Sequence, residues 1–131
     1  MSMNPLKRDS VLDIVPVKGY ESLQYVLKQA YDQAAVGKGK ERHAGGRSFD
    51  QQPIQTIPRT IGGIAGLGGL TYQINKKSTE ATNMAVRGNF DAAQREFLGA
   101  INYLAAAYLY VEHLKAQAEA VRPSDEGKEP L

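Results

Sequence analysis

Apolar residues along this chain recur with helical spacing in three long stretches. Leu23, Val26, Leu27, Ala30, Tyr31 and Ala34 fall at i, i+3, i+4 and i+7 intervals. That stripe predicts a first helix from about Tyr20 to Val36, closed by Gly37. Ile61, Ile64, Leu67, Ile74, Ala81 and Met84 keep a second helical period, with Pro58 suited to its first turn and Thr56 or Ile57 before it. A third period opens at Asn89, a good N-cap, with Asp91 where the helix dipole favours an acid. It runs to about Val121 and is stopped by Pro123. The predicted fold is all-α: a three-helix unit with one long central C-terminal helix.

Two places disturb the pattern. "GGIAGLGG" carries five glycines inside the second helical period, each costing about 1 kcal/mol relative to Ala in a helix interior. Two accounts stay open. Gly62, Gly66 and Gly69, at i, i+4 and i+7, could form a flat face for close approach of another helix, or the segment could be a loop presenting backbone N–H groups to an anion. The second disturbance is "FLGAINYLAAAYLYV". Phe97, Ile101, Leu104, Tyr108 and Val111 make one apolar face, and Leu98, Ala105 and Leu109 another. A helix apolar all round is buried all round, so a homo-oligomer is expected, with another subunit covering part of the rod.

The flanks differ in character. Residues 1–18 read as an extended arm broken by Pro5 and Pro16, with Val11, Leu12, Ile14 and Val15 able to dock in a groove or as an edge strand. Residues 19–121 form a single helical domain, and residues 122–131 a solvated tail. At 131 residues the chain is large enough for one core and too small for two.

Composition narrows the chemistry. The net charge is only +2, which argues against bulk nucleic-acid binding. The chain has no Cys, which excludes disulfides, thiol catalysis and thiolate zinc sites and fits a reducing cytoplasm. Neither a signal peptide nor a membrane span is visible: the longest apolar run, Leu104 to Val111, falls far short of the roughly 20 residues a bilayer needs. His43 and His113 lie far apart in sequence, so no cofactor or metal is expected.

Positive charge is concentrated in "GKGKERHAGGRSFDQQP". Lys38, Lys40, Arg42, His43 and Arg47, on a glycine-rich backbone, could converge on phosphate or carboxylate oxygens. The alternative is a solvated connector. Phe49 and Tyr72 offer a surface for a base, and Gln51 and Gln52 a donor-plus-acceptor edge, although such residues serve equally as core or surface. Lys77 stands at i, i+3 from Glu80, an expected ion pair. Asn102, inside the apolar run, is either a lock between helices or a ligand contact. Glu96 and Tyr103 share a face and point at a common neighbour.

"GRSFDQQPIQTIPRTIGG", "LTYQINKKSTEA" and "REFLGAINYLAAAYLYVE", in this order, distantly resemble the N-terminal domain of viral dATP/dGTP diphosphohydrolases, and more broadly the all-α, MazG-like nucleotide pyrophosphohydrolases. The resemblance spans residues 40–112, through Gly46, Phe49 and Asp50, a Pro-led amphipathic helix and a long Ala/Leu helix. It implies an all-α fold, a nucleotide-type ligand and a phage origin. The chain departs from those enzymes in their Mg²⁺-holding acidic pairs: no E-x-x-E or E-x-x-D pair precedes the terminal region. The expectation is therefore a small accessory protein that binds a phosphorylated small molecule without turnover. One alternative is a Mg²⁺-dependent diphosphohydrolase using Glu80 and Glu96. The other is an assembly protein with no small ligand.

Overall fold

The computed structural model describes residues 15–36 and 48–121. The basic glycine loop, the C-terminal tail and most of the arm lie outside them. Among the described residues the protein is all-α: α1 (Glu21–Ala35), α2 (Pro53–Ile61), α3 (Gly63–Val86) and α4 (Phe90–Val121), with a 3-10 turn at Phe49–Gln51 and no strand.

The second expected helix starts earlier and is divided in two. Pro53, not Pro58, opens α2 at the first helical position, where a missing N–H removes no intrahelical bond. Pro58 lies inside the short helix and is buried, and its carbonyl accepts the Gly62 N–H at 2.8 Å. Gly62 adopts φ 85° and ψ 158°, a backbone open essentially to glycine alone. The chain therefore turns there before α3 begins. The rest of the glycine segment is helix, not an anion-binding loop.

α3 closes on Gly88 at φ 85°. The Asn89 N–H donates to the Met84 carbonyl at 2.8 Å and the Gly88 N–H to Ala85 at 3.0 Å, the paired bonds of a Schellman turn. The short connection folds α4 back antiparallel along α3. Leu70, Ala106 and Tyr110 form the centre of the core, with Phe49, Ile54, Leu67, Tyr103, Ala107 and Leu114 packed around them. Elsewhere the buried apolar side chains are Ala30, Ala81, Ala93 and Ala100, small enough for helix axes to approach closely.

Gly66 marks the closest approach. A Cβ there would overlap the Pro58 carbonyl oxygen and lie 2.6 Å from the Tyr110 hydroxyl, which donates to the Gly63 carbonyl at 2.8 Å. The flat-face account thus holds for Gly66. Gly62 is the bend instead, and a Cβ at Gly69 would meet nothing within 4 Å.

α1 packs on α4, antiparallel to it. Asn102 Nδ2 donates to the Ala30 carbonyl at 3.0 Å, and Gln33 Nε2 donates to the Arg95 carbonyl at 3.1 Å. Asn102 thus ties α4 to α1 through its amide N–H. The all-round burial expected of α4 is not supplied among the described residues: Phe97, Leu104, Tyr108 and Val111 remain exposed. No described helix is long and apolar enough to cross a membrane.

Candidate binding cleft

α1, α3 and α4, with α2 and the 3-10 turn, enclose a cleft of about 880 Å³. Its apolar side comes from periodic positions. Ile54, Ile57, Pro58 and Ile61 project from α2, Leu70 and Tyr72 from α3, and Phe49 from the turn before α2. Phe49 is at once wall and core, since it also packs on the Leu70–Ala106–Tyr110 cluster.

Its polar side is built across α3 and α4. Lys77 Nζ lies 3.6 Å from Glu96 Oε1, with both side chains about three-quarters shielded (25 % and 24 % exposed). The same ammonium sits 5.7 Å from the centre of the Tyr103 ring, within reach of its negative face. Lys77 is thus the common neighbour at which Glu96 and Tyr103 were expected to point. Gly99 makes room for this, because a Cβ there would come within 3.3–3.4 Å of the Lys77 side chain. The ion pair expected between Lys77 and Glu80 is made instead by Lys76, at 3.9 Å and in solvent. Lys77 lies one helical step round and reaches α4. Burial raises the Tyr103 phenol above its ordinary pKa, while the charge of Lys76 pulls the other way.

Of the residues singled out from sequence, Phe49, Gln52, Lys77 and Asn102 all line the cleft, as does Glu96, whereas Glu80 does not. Lys38, Lys40, Arg42, His43 and Arg47 lie outside the described residues. Gln33, Gln73, Arg95 and Gly99 also line it and were not among the sequence candidates. Their only signal was periodicity: Gln73 and Lys77 stand four apart on α3, and Arg95, Gly99 and Asn102 share a face of α4. Gln55, 1 % exposed, has neither amide atom hydrogen-bonded among the described residues. No group of three or more His, Asp or Glu side chains able to hold a metal occurs among them either.

Comparison with protein families, curated proteins and solved structures finds no match to this chain.

Proposed function

We propose that this cleft binds a phosphorylated small molecule of nucleotide type and holds it without turning it over. The observation that carries the reading is the shielded Lys77 ammonium, held between Glu96 and Tyr103 beside a wall of aromatic and aliphatic side chains. A fixed cation next to an apolar face suits a ligand with an anionic end and a flat, weakly polar end. Arg95 adds a second cation in reach of the same volume, in the fork geometry that grips phosphate. Gln33 and Asn102 each spend an N–H on a helix carbonyl and keep an amide oxygen for donors such as an exocyclic amine.

The segment carrying Lys38, Lys40, Arg42, His43 and Arg47 is bounded by residues of the same cleft, because Ala34 and Phe49 both line it. In this reading those basic residues supply further phosphate contacts, and the exposed apolar faces of α1 and α4 make the working form a homo-oligomer. The hydrolase alternative needs Glu80 and Glu96 on one Mg²⁺. Glu96 already faces a lysine, and Glu80 lies outside the cleft lining. The resemblance to MazG-like enzymes therefore supports the ligand class more than the reaction, and with it a phage accessory role in the cytoplasm.

Native mass spectrometry of protein purified from cells, followed by calorimetric titration with a panel of NTPs, dNTPs and monophosphates, tests the proposal. Lys77→Ala should weaken the bound nucleotide about ten- to hundredfold, the effect of losing one charge-assisted hydrogen bond of roughly 1.5–3 kcal/mol. Arg42→Ala and Arg47→Ala should do the same. Lys28→Ala, whose partner is Asp32 on the α1 surface, should change nothing. Failure of every nucleotide to bind refutes the reading. Release of pyrophosphate with Mg²⁺ or Mn²⁺, abolished by Glu96→Gln, replaces it with the hydrolase.

A further inference from the structure

α4 has three faces, and the described residues cover two. α3 takes the face that buries Ala93, Ala100 and Tyr110, and α1 takes the face bearing Asn102. The third carries Phe97, Ile101, Leu104, Tyr108 and Val111, spaced alternately four and three apart, which is the a/d seam of a coiled coil. It stays open: Phe97 is 43 %, Leu104 53 %, Tyr108 69 % and Val111 48 % exposed. Phe90, also exposed, extends it toward the start of the helix.

We infer that this seam is where a second copy of the chain docks, α4 against α4, antiparallel about a twofold axis. Three features select that occupant. The first is period. Another heptad helix fits a four–three seam, whereas an extended segment presents side chains every second residue.

The second is orientation. Antiparallel pairing opposes the helix dipoles. Parallel pairing would stack Lys115 on Lys115 of the partner subunit and Glu112 on Glu112 of the partner subunit.

The third is area. With Phe90 included, the exposed seam offers at most about 600 Å² of surface per copy, so two copies reach roughly the 1,200 Å² at which specific interfaces begin. Its aromatic content is that of an interface core.

The register follows from the pattern. Phe97 meets Tyr108 of the partner subunit and Ile101 meets Leu104 of the partner subunit, each contact occurring twice. Phe90 then lies under Lys115 of the partner subunit, whose stem can cover the ring while its charge stays in water. Such an interface is isologous and closed, so it stops at two copies.

The test uses the full chain. Sedimentation equilibrium at low micromolar concentration should return twice the chain mass. Leu104→Glu and, independently, Tyr108→Lys should weaken dimerisation about a hundredfold or more while the helical circular-dichroism signal is kept. Tyr108→Lys alters only an exposed side chain and so keeps the test valid if Leu104→Glu fails to fold.

Because the chain has no Cys, introduced thiols report orientation directly. Phe97→Cys mixed with Tyr108→Cys should give the mixed disulfide under mild oxidation. Neither variant should link to itself, because in this register identical positions lie about 16 Å apart along the axis. A monomeric wild type, self-links exceeding the mixed link, or a dimer unmoved by both seam variants would each overturn the inference. So would a wild-type monomer that associates only after residues 1–14 are removed, since the arm would then be the occupant.

Discussion

Replacing Gly66 by Ala would normally stabilise a helix, and here it should do the opposite. In an exposed helix interior the change gains about 1 kcal/mol. At Gly66, however, the new methyl would meet the Pro58 carbonyl oxygen and the Tyr110 hydroxyl. The first is backbone fixed by the α2 turn, and the second is tied to the Gly63 carbonyl at 2.8 Å, so neither can retreat cheaply. Overpacking of this kind costs about 1–3 kcal/mol, and displacing the tyrosine forfeits a hydrogen bond worth about 1 kcal/mol. The net loss should be about 2 kcal/mol, or roughly a 10 °C fall in Tm for a domain of this size. Gly68→Ala is the matched comparison: it lies on the same helix, and a Cβ there would meet nothing within 4 Å, so its Tm should rise by a few degrees. Chemical denaturation of both variants, at unchanged m-value, is the assay. If Gly66→Ala stabilises as Gly68→Ala does, α2 and α4 do not converge on α3 as described, and the apolar wall of the cleft is misplaced with them.

Asn102→Ala removes the bond to the Ala30 carbonyl and should cost about 1 kcal/mol, with faster amide exchange confined to α1; exchange rising equally in α3 would contradict that assignment. Gln55→Met exchanges an orphaned buried amide for an apolar side chain of similar shape, so stability should hold or rise by about 1 kcal/mol; a clear loss would mean the amide is paired. Tyr103 holds its proton more tightly folded than unfolded, so its contribution is complete below about pH 10 and lost as pH rises through the raised folded value. Wild-type Tm should accordingly fall more steeply in that alkaline range than Tyr103→Phe; parallel curves would show that burial there does not matter.

The long elements were legible because their periods are long. Six apolar positions fix α1, and Asn89 and Pro123 bracket α4, so boundaries fell within a residue or so of the helices described. The break at Gly62 was not legible. Glycine is consistent with a bend, a close contact or open space, and Gly62, Gly66 and Gly69 realise one of each. At the cleft, Asn102 stood out because an amide is rare inside an apolar run, and Lys77 because Glu80 stands three residues on. Gln33 and Arg95 did not, because polar residues near helix ends are ordinary until another helix lies beside them. Lys77 also shows the limit of reading one helix alone. Its nearest acid in sequence is Glu80, yet it turns to Glu96 on the returning helix of the hairpin, a choice set by tertiary packing.

The hydrogen bonds that join α1 to α4 connect residues 62 and 72 positions apart, whereas α3 and α4 are joined directly by residues 87–89. Closing a hairpin through so short a link costs little chain entropy, and closing the longer loop costs more. The order of assembly follows: the α3–α4 hairpin condenses first with its core around Tyr110, and α1 arrives last. The α1 wall of the cleft, Gln33 and Ala34, is therefore the final part of it to form during folding and the first to be lost during unfolding. A ligand held there stabilises contacts absent from the transition state, so it should slow unfolding while leaving the folding rate unchanged.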